Sequence, residues 1–179
     1  MAESYKCSTC GKVHEGLPLS FAADAPDMYA NMNRSERDVR CVHGSDQYII
    51  DEKWFFVRGC LEIPIIDSSE VFLWGLWASV CEDVFDEISE SWELVGREKS
   101  RGPFKGRLGN SLAEYPETLN LKLRIMLRPV GERPLFLIEE AGHPLAIEQS
   151  SGVARERALA MAALLLHQGR GHFPKAFKI

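Results

Sequence analysis

The chain contains no run of about 18 uncharged apolar residues, the least that a membrane-spanning helix needs. It also lacks a basic excess. Lys and Arg number 21 against 26 Asp and Glu, a net charge of −5. Nucleic-acid binding by phosphate neutralisation wants a concentrated basic face, and this balance argues against one. The opening residues, Met1 to Lys6, have no apolar core of a secretory signal, so cytoplasm is the expected compartment. The five cysteines are odd in number, which argues against a disulfide framework and leaves them as buried apolar residues or metal ligands. Gly102, Gly106 and Gly109 lack the spacing and the strand–helix setting of a phosphate cradle.

What is present is a dense apolar centre. Trp54 to Ile66 and Val71 to Val80 are rich in aromatic and β-branched residues, and the polar Asp67-Ser68-Ser69-Glu70 separates them. Two neighbouring strands joined by a turn are written this way. Trp74 and Trp77, three apart, face opposite sides of such a strand unless Gly75 marks a bulge. Gln47 to Ile50 predicts a preceding strand, with a tight turn at residues 51–53. Leu119 to Arg128 alternates apolar with polar residues, and Pro134 to Glu139 returns antiparallel after the turn at residues 131–133.

Helical spacing marks residues 82–95, with an acidic first turn that suits the helix dipole, and residues 153–167. Asp24 is placed to cap a short helix over residues 26–32. Arg34 to Arg40 alternates in charge and reads as a solvated face or loop. Arg97 to Asn110 reads as a basic, mobile loop leading into a short strand. The fold class is therefore α+β: a mostly antiparallel sheet of five or six strands, with the 82–95 and 153–167 helices on one face. Length suits one domain. We divide the chain into a knuckle-like segment over 1–20, a domain over 21–169 and a loosely held tail over 170–179.

Three groups of residues carry candidate chemistry. Cys7-x-x-Cys10-Gly11 can turn both sulfurs toward one ion. His14 and Cys41, with His43 as a substitute, would complete tetrahedral zinc of a structural kind; the alternative is two thiols near a terminus. Arg58 interrupts the most apolar run, either as a structural pair with Glu62, which shares its parity, or as an anion site. His143 beside Glu148 and Gln149 is the best acid–base candidate outside the knuckle, against a purely structural His-Pro in a loop.

Several strings together resemble a bacterial family catalogued only as a domain of unknown function, number 2199. They are Cys7-x-x-Cys10-Gly11-x-x-His14, Phe55-Phe56-Val57-Arg58-Gly59 with Glu62-Ile63-Pro64, and Trp74-Gly75-x-Trp77. Tyr115-Pro116-x-Thr118-Leu119-x-Leu121-Lys122, Arg133-Pro134 and His143-Pro144-Leu145-Ala146-x-Glu148-Gln149 complete the set. The resemblance spans residues 5–155 and implies kinship without an activity. Tyr48 stands where members often carry a cysteine, which bears on the fourth ligand of a zinc site. The functional expectation is a non-catalytic protein-binding or regulatory module, of immunity or antitoxin type, with another protein as partner. Its rival is a small hydrolase or transferase using Arg58, His143 and Glu148 in a pocket.

Overall fold

The computed structural model describes residues 4–6, 11–15 and 19–167. The organising element is a long two-stranded ribbon, β6 (Trp54–Pro64) and β7 (Val71–Val80), antiparallel in unbroken register from Phe55↔Val80 to Pro64↔Val71. The alternation of each strand splits its side chains between two faces. Val57, Leu61, Ile63, Phe72, Trp74, Leu76 and Ala78 enter the main core. Phe56 and Trp77 face away from it. The two indoles thus take opposite faces with no bulge, as their spacing predicts.

The outer edge of each long strand is shared by two partners. On β7, β3 (Ser20–Ala22) pairs in parallel with Leu73 to Gly75, and β8 (Phe104–Leu108) pairs antiparallel at Ala78 and Ser79. On β6, β5 (Gln47–Ile50) covers Trp54 to Val57, and β10 (Leu135–Ile138) meets Cys60. Between β8 and β10 runs β9 (Lys122–Met126), antiparallel to both. The strands β6, β7, β8, β9 and β10 therefore close into a barrel. Because they alternate in direction and are five, the closing pair, β10 with β6, must be parallel. It rests on the Cys60 N–H donating to the Pro134 carbonyl at 2.8 Å.

This closure corrects the expected open sheet. β3, β4 (Cys41–His43) and β5 extend the barrel wall, and β1 (Ser4–Lys6) pairs with β2 (Val13–Glu15) in a separate two-stranded sheet. Two helices covering one face is likewise an incomplete expectation. Residues 82–95 yield α3 (Glu82–Glu90), which sends Phe85 and Ile88 into the core. Further along stand α5 (Pro144–Ser151) and α6 (Arg155–His167), contributing Leu145, Ala158, Met161, Ala162 and Leu165. Each fully buried large apolar side chain contributes roughly 1.5–3 kcal/mol, so the barrel interior and these helices supply most of the stabilisation.

Short helices complete the domain. The expected helix over residues 26–32 is α1 (Asp27–Ala30), but its N-cap is Pro26, not Asp24. The charged run expected as a loop or solvated face is α2 (Arg34–Arg40), fully outside the core, with a capping box between Asn33 and Glu36. The basic loop contains α4 (Arg97–Ser100). Around α1, Met28, Tyr29 and Met32 cover the outward cluster of Tyr48, Ile50, Phe56 and Trp77. No helix among the described residues is long and apolar enough to cross a membrane.

Candidate functional site

Where β5 gives way to β10 along β6, the wall opens into a cleft of about 570 Å³ lined by Asp46, Cys60, Glu62, Trp92, Arg128 and Arg133 among others. The strand alternation that buries Leu61 and Ile63 turns Cys60 and Glu62 outward into it. Arg128 Nη1 donates to Glu62 Oε1 at 2.7 Å, and its Nε donates to the Arg133 carbonyl at 2.7 Å. Arg133 forms an ion pair with Asp46. Both pairs are mostly shielded, so salt screens them less than surface pairs. Burial raises the Asp46 carboxyl, but hydrogen bonds from Arg133 and Ser45 more than reverse it and hold it below the usual carboxylate range. Burial pushes the Cys60 thiol up, against the pull of Arg128 and Arg133.

The rear of the cleft is held by Arg97, 1 % exposed. Its Nε donates to the Arg128 carbonyl at 2.7 Å and its Nη1 to that of Trp92 at 2.7 Å. Nη2 reaches Glu132 O at 2.7 Å and Pro129 O at 3.4 Å. One guanidinium thereby ties the end of α3 to the β9–β10 turn. Asp46, Arg97, Arg128 and Arg133 were not singled out as site residues from sequence. Only the Arg133-Pro134 string pointed this way; a buried arginine satisfied by carbonyls leaves no mark in a polar loop.

The three residues of the catalytic alternative hold different partners. Arg58 lies 5.4 Å over the Trp77 ring, with Nη1 and Nη2 directed at the carbonyls of Ser45 (3.3 Å) and Ala23 (3.4 Å). Burial, then Arg133, lowers its pKa. Its expected partner Glu62 is taken by Arg128. His143 caps α5, accepting from Leu145 N–H on Nδ1 at 3.1 Å, so Nε2 donates to the Pro116 carbonyl at 2.6 Å. Glu148 accepts from the Tyr115 hydroxyl on one oxygen and from Arg157 Nε at 3.1 Å on the other. Burial, the Glu148 hydrogen bond and the Glu148 charge all raise the Tyr115 phenol. His143 and Glu148 therefore clamp one segment, Tyr115-Pro116, while Arg58 sits at β6.

Of the zinc candidates, Cys7 and Cys10 lie outside the described residues. His14 falls in β2. Cys41 Sγ lies 3.7 Å from Met32 Sδ; His43 stacks on Tyr48 at 4.7 Å and meets the Tyr29 hydroxyl at 3.3 Å. Among the described residues no three His, Cys, Asp or Glu side chains are grouped to hold a metal.

Fold and site together define a mixed α/β domain built on a five-stranded barrel, with an ion-paired cleft at the seam where the barrel closes. The chain belongs to the bacterial family described as "Uncharacterized protein conserved in bacteria (DUF2199)", which it matches over residues 6–153. This is the family to which the motif strings point. No curated protein and no solved structure matches the chain.

Proposed function

We propose that this domain is a non-catalytic binding or regulatory module of the bacterial cytoplasm, of the immunity or antitoxin type, which takes another protein at the seam cleft. One observation carries the reading: the candidate groups His143, Glu148 and Cys60 are already engaged or raised. His143 has no free ring lone pair, since Nδ1 accepts and Nε2 donates. Both Glu148 oxygens are occupied, and burial pushes the Cys60 thiol up. A surface of satisfied charge pairs is suited to recognition, because a partner can exchange for exposed members of each pair. The rival hydrolase or transferase reading would need Arg58, His143 and Glu148 to act together, whereas each keeps its own contacts.

The partner is basic. Glu93 and Glu132 stand exposed on the cleft rim, and Glu82, Asp83, Asp86 and Glu90 extend the acidic surface along α3. Charge reversal at the rim should slow association and weaken binding without harming the fold. Affinity capture from a bacterial lysate will retain a basic protein on the wild type and on His143→Ala, and lose it on the double variant Glu93→Lys/Glu132→Lys. Retention that ignores the rim charges would sink the proposal. So would turnover of ester or phosphoester substrates that disappears in His143→Ala.

The proposal includes a structural zinc ion on Cys7 and Cys10, with His14 and Cys41, or His43 in place of Cys41, completing the set. Its support is the sequence spacing and the β1–β2 pairing on either side of the cysteines, with Gly11 at φ +69°. Metal analysis should find stoichiometric zinc in the wild type and none in Cys7→Ser or Cys10→Ser. Zinc that survives both substitutions removes these cysteines from the site.

A further inference from the structure

Strands β8 and β9 form one side of the barrel, and their alternation buries Phe104, Leu108, Leu123 and Ile125 in the core. The intervening Lys105, Arg107, Lys122 and Arg124 stand exposed on the outside. Register then sets like against like. Lys105 is opposite Arg124, and Arg107 is opposite Lys122. Like charges directly opposed on a sheet face are unfavourable.

Little in the chain offsets them. Arg124 pairs with Glu139 at 3.1 Å, whereas Arg107 Nη1 donates to the neutral Asn120 carbonyl at 3.2 Å. Glu140 spends Oε1 on the Lys122 main-chain N–H at 3.0 Å. Among the described residues neither lysine side chain makes an ion pair or a hydrogen bond. Across the strands the block adjoins Ser79, Leu137 and Glu139, none of them a ring on which a nucleic-acid base could stack.

The opposite sign stands beside it. Ser79 pairs with Arg107, so β7 runs out toward Lys105, and α3 starts from that edge. Along α3, Glu82, Asp86 and Glu90 succeed one another four residues apart, exposed and without an ion pair among the described residues. Such acids are spaced by about 6 Å per step. Alternate residues of an antiparallel strand are about 6.8 Å apart, nearly the same interval. Glu87, off this row, is already paired with Arg101 at 3.6 Å.

We infer that this protein forms a two-fold dimer in which α3 of each copy lies on the β8–β9 face of the other, with Glu82, Asp86 and Glu90 against the four cations. Neighbouring patches of opposite sign suit a two-fold axis between them, because each contact is then made twice. The pairing needs neither Glu93 nor Glu132, so it stands or falls apart from the partner proposed for the seam cleft.

Sedimentation velocity on the full chain tests this by charge exchange. The wild type will approach the mass of a dimer at millimolar concentration in dilute buffer. Raising salt from about 0.02 M to about 0.5 M will weaken the dimer about tenfold or more, since exposed pairs are screened. Lys105→Glu/Lys122→Glu and Asp86→Lys/Glu90→Lys alter exposed side chains only, and each variant alone will sediment as a monomer. Mixed one to one, the two will recover the dimer, because the acidic strand face of one meets the basic helix of the other while the native patches meet across the axis. That recovery also shows that both variants are folded. A wild type that stays monomeric at low salt overturns the inference, as does a variant that dimerises alone or a mixture that stays monomeric. Mass that keeps growing past the dimer would mean a head-to-tail chain instead. Binding of an oligothymidylate by a monomeric wild type, lost in Lys105→Glu/Lys122→Glu, would give the face to nucleic acid.

Discussion

Replacing Arg97 with methionine will destabilise the domain by about 3–5 kcal/mol, read as a lower midpoint of denaturant unfolding with an unchanged slope. Methionine approximates the hydrocarbon stem, so lost packing is a minor part of the effect. The major part is four main-chain carbonyls, those of Trp92, Arg128, Pro129 and Glu132, which lose the donors directed at them. A buried acceptor left without a partner costs about 1–3 kcal/mol. Partial access for water at the cleft keeps the sum below the full fourfold figure. Lysine at the same position keeps the charge but cannot spread donors over one plane, and should recover less than half of the loss. Native domains are stable by only about 5–15 kcal/mol, so Arg97→Met leaves a marginal fold. High salt should rescue nothing, because the partners are neutral carbonyls in a shielded place. A loss under about 1 kcal/mol would mean that the guanidinium is a passenger.

Arg97 also illustrates which parts of this molecule are legible from the chain alone. The central ribbon was readable because two long apolar runs with a polar turn have few other solutions, and the unbroken register from Phe55↔Val80 to Pro64↔Val71 follows from them. The opposite facing of Trp74 and Trp77 followed from period two. The β9–β10 hairpin and α6 followed equally from periodicity. In α2, the Asn33-x-x-Glu36 spacing was a usable helix-start signal that the charge alternation masked.

Other features left no local trace. Arg97 is a charge in a polar, glycine-broken stretch, and nothing nearby announces acceptors between residues 92 and 132. Arg58 was visible as an anomaly in an apolar run, but its partners are carbonyls of Ser45 and Ala23, brought together only by the way β6 and β7 share their edges. The seam cleft arises from that sharing, which is a property of strand order rather than of any segment. His143 and Glu148 were legible as polar residues of interest, but not as clamps on Tyr115-Pro116. Those strings, distant in the chain, meet in space.

Barrel closure is the deepest of these long-range facts, and one residue tests it. Gly59→Ala will destabilise the domain by about 3 kcal/mol or more, and Gly59→Val will abolish the native fold. Gly59 lies on the inward parity of β6 under Phe136. A Cβ built there would stand 2.3 Å from Phe136 Cε1 and Cζ and 2.8 Å from the Pro134 carbonyl oxygen. The reason is space, not backbone freedom, since Gly59 is not among the positive-φ glycines. Phe136 is fully buried and has no solvent to swing into, and Pro134 supplies the acceptor for Cys60 N–H that joins β10 to β6. Overpacking of a filled core costs about 1–3 kcal/mol, occasionally more. Here the strain can be relieved only by moving β10 away, which surrenders the closing hydrogen bond, about another 1 kcal/mol. Gly44→Ala, with nothing within 4 Å of the added carbon, should change stability by less than about 0.5 kcal/mol. Shortening the opposing ring in Gly59→Ala/Phe136→Leu should recover part of the loss, since residues in contact couple in a double-mutant cycle. Hydrogen exchange at the Cys60 amide gives the site-specific readout. It will accelerate in Gly59→Ala well beyond the amides of the β6–β7 register if β10 is what lets go. A Gly59→Ala protein as stable as the wild type, with the Cys60 amide still protected, would refute the closed barrel.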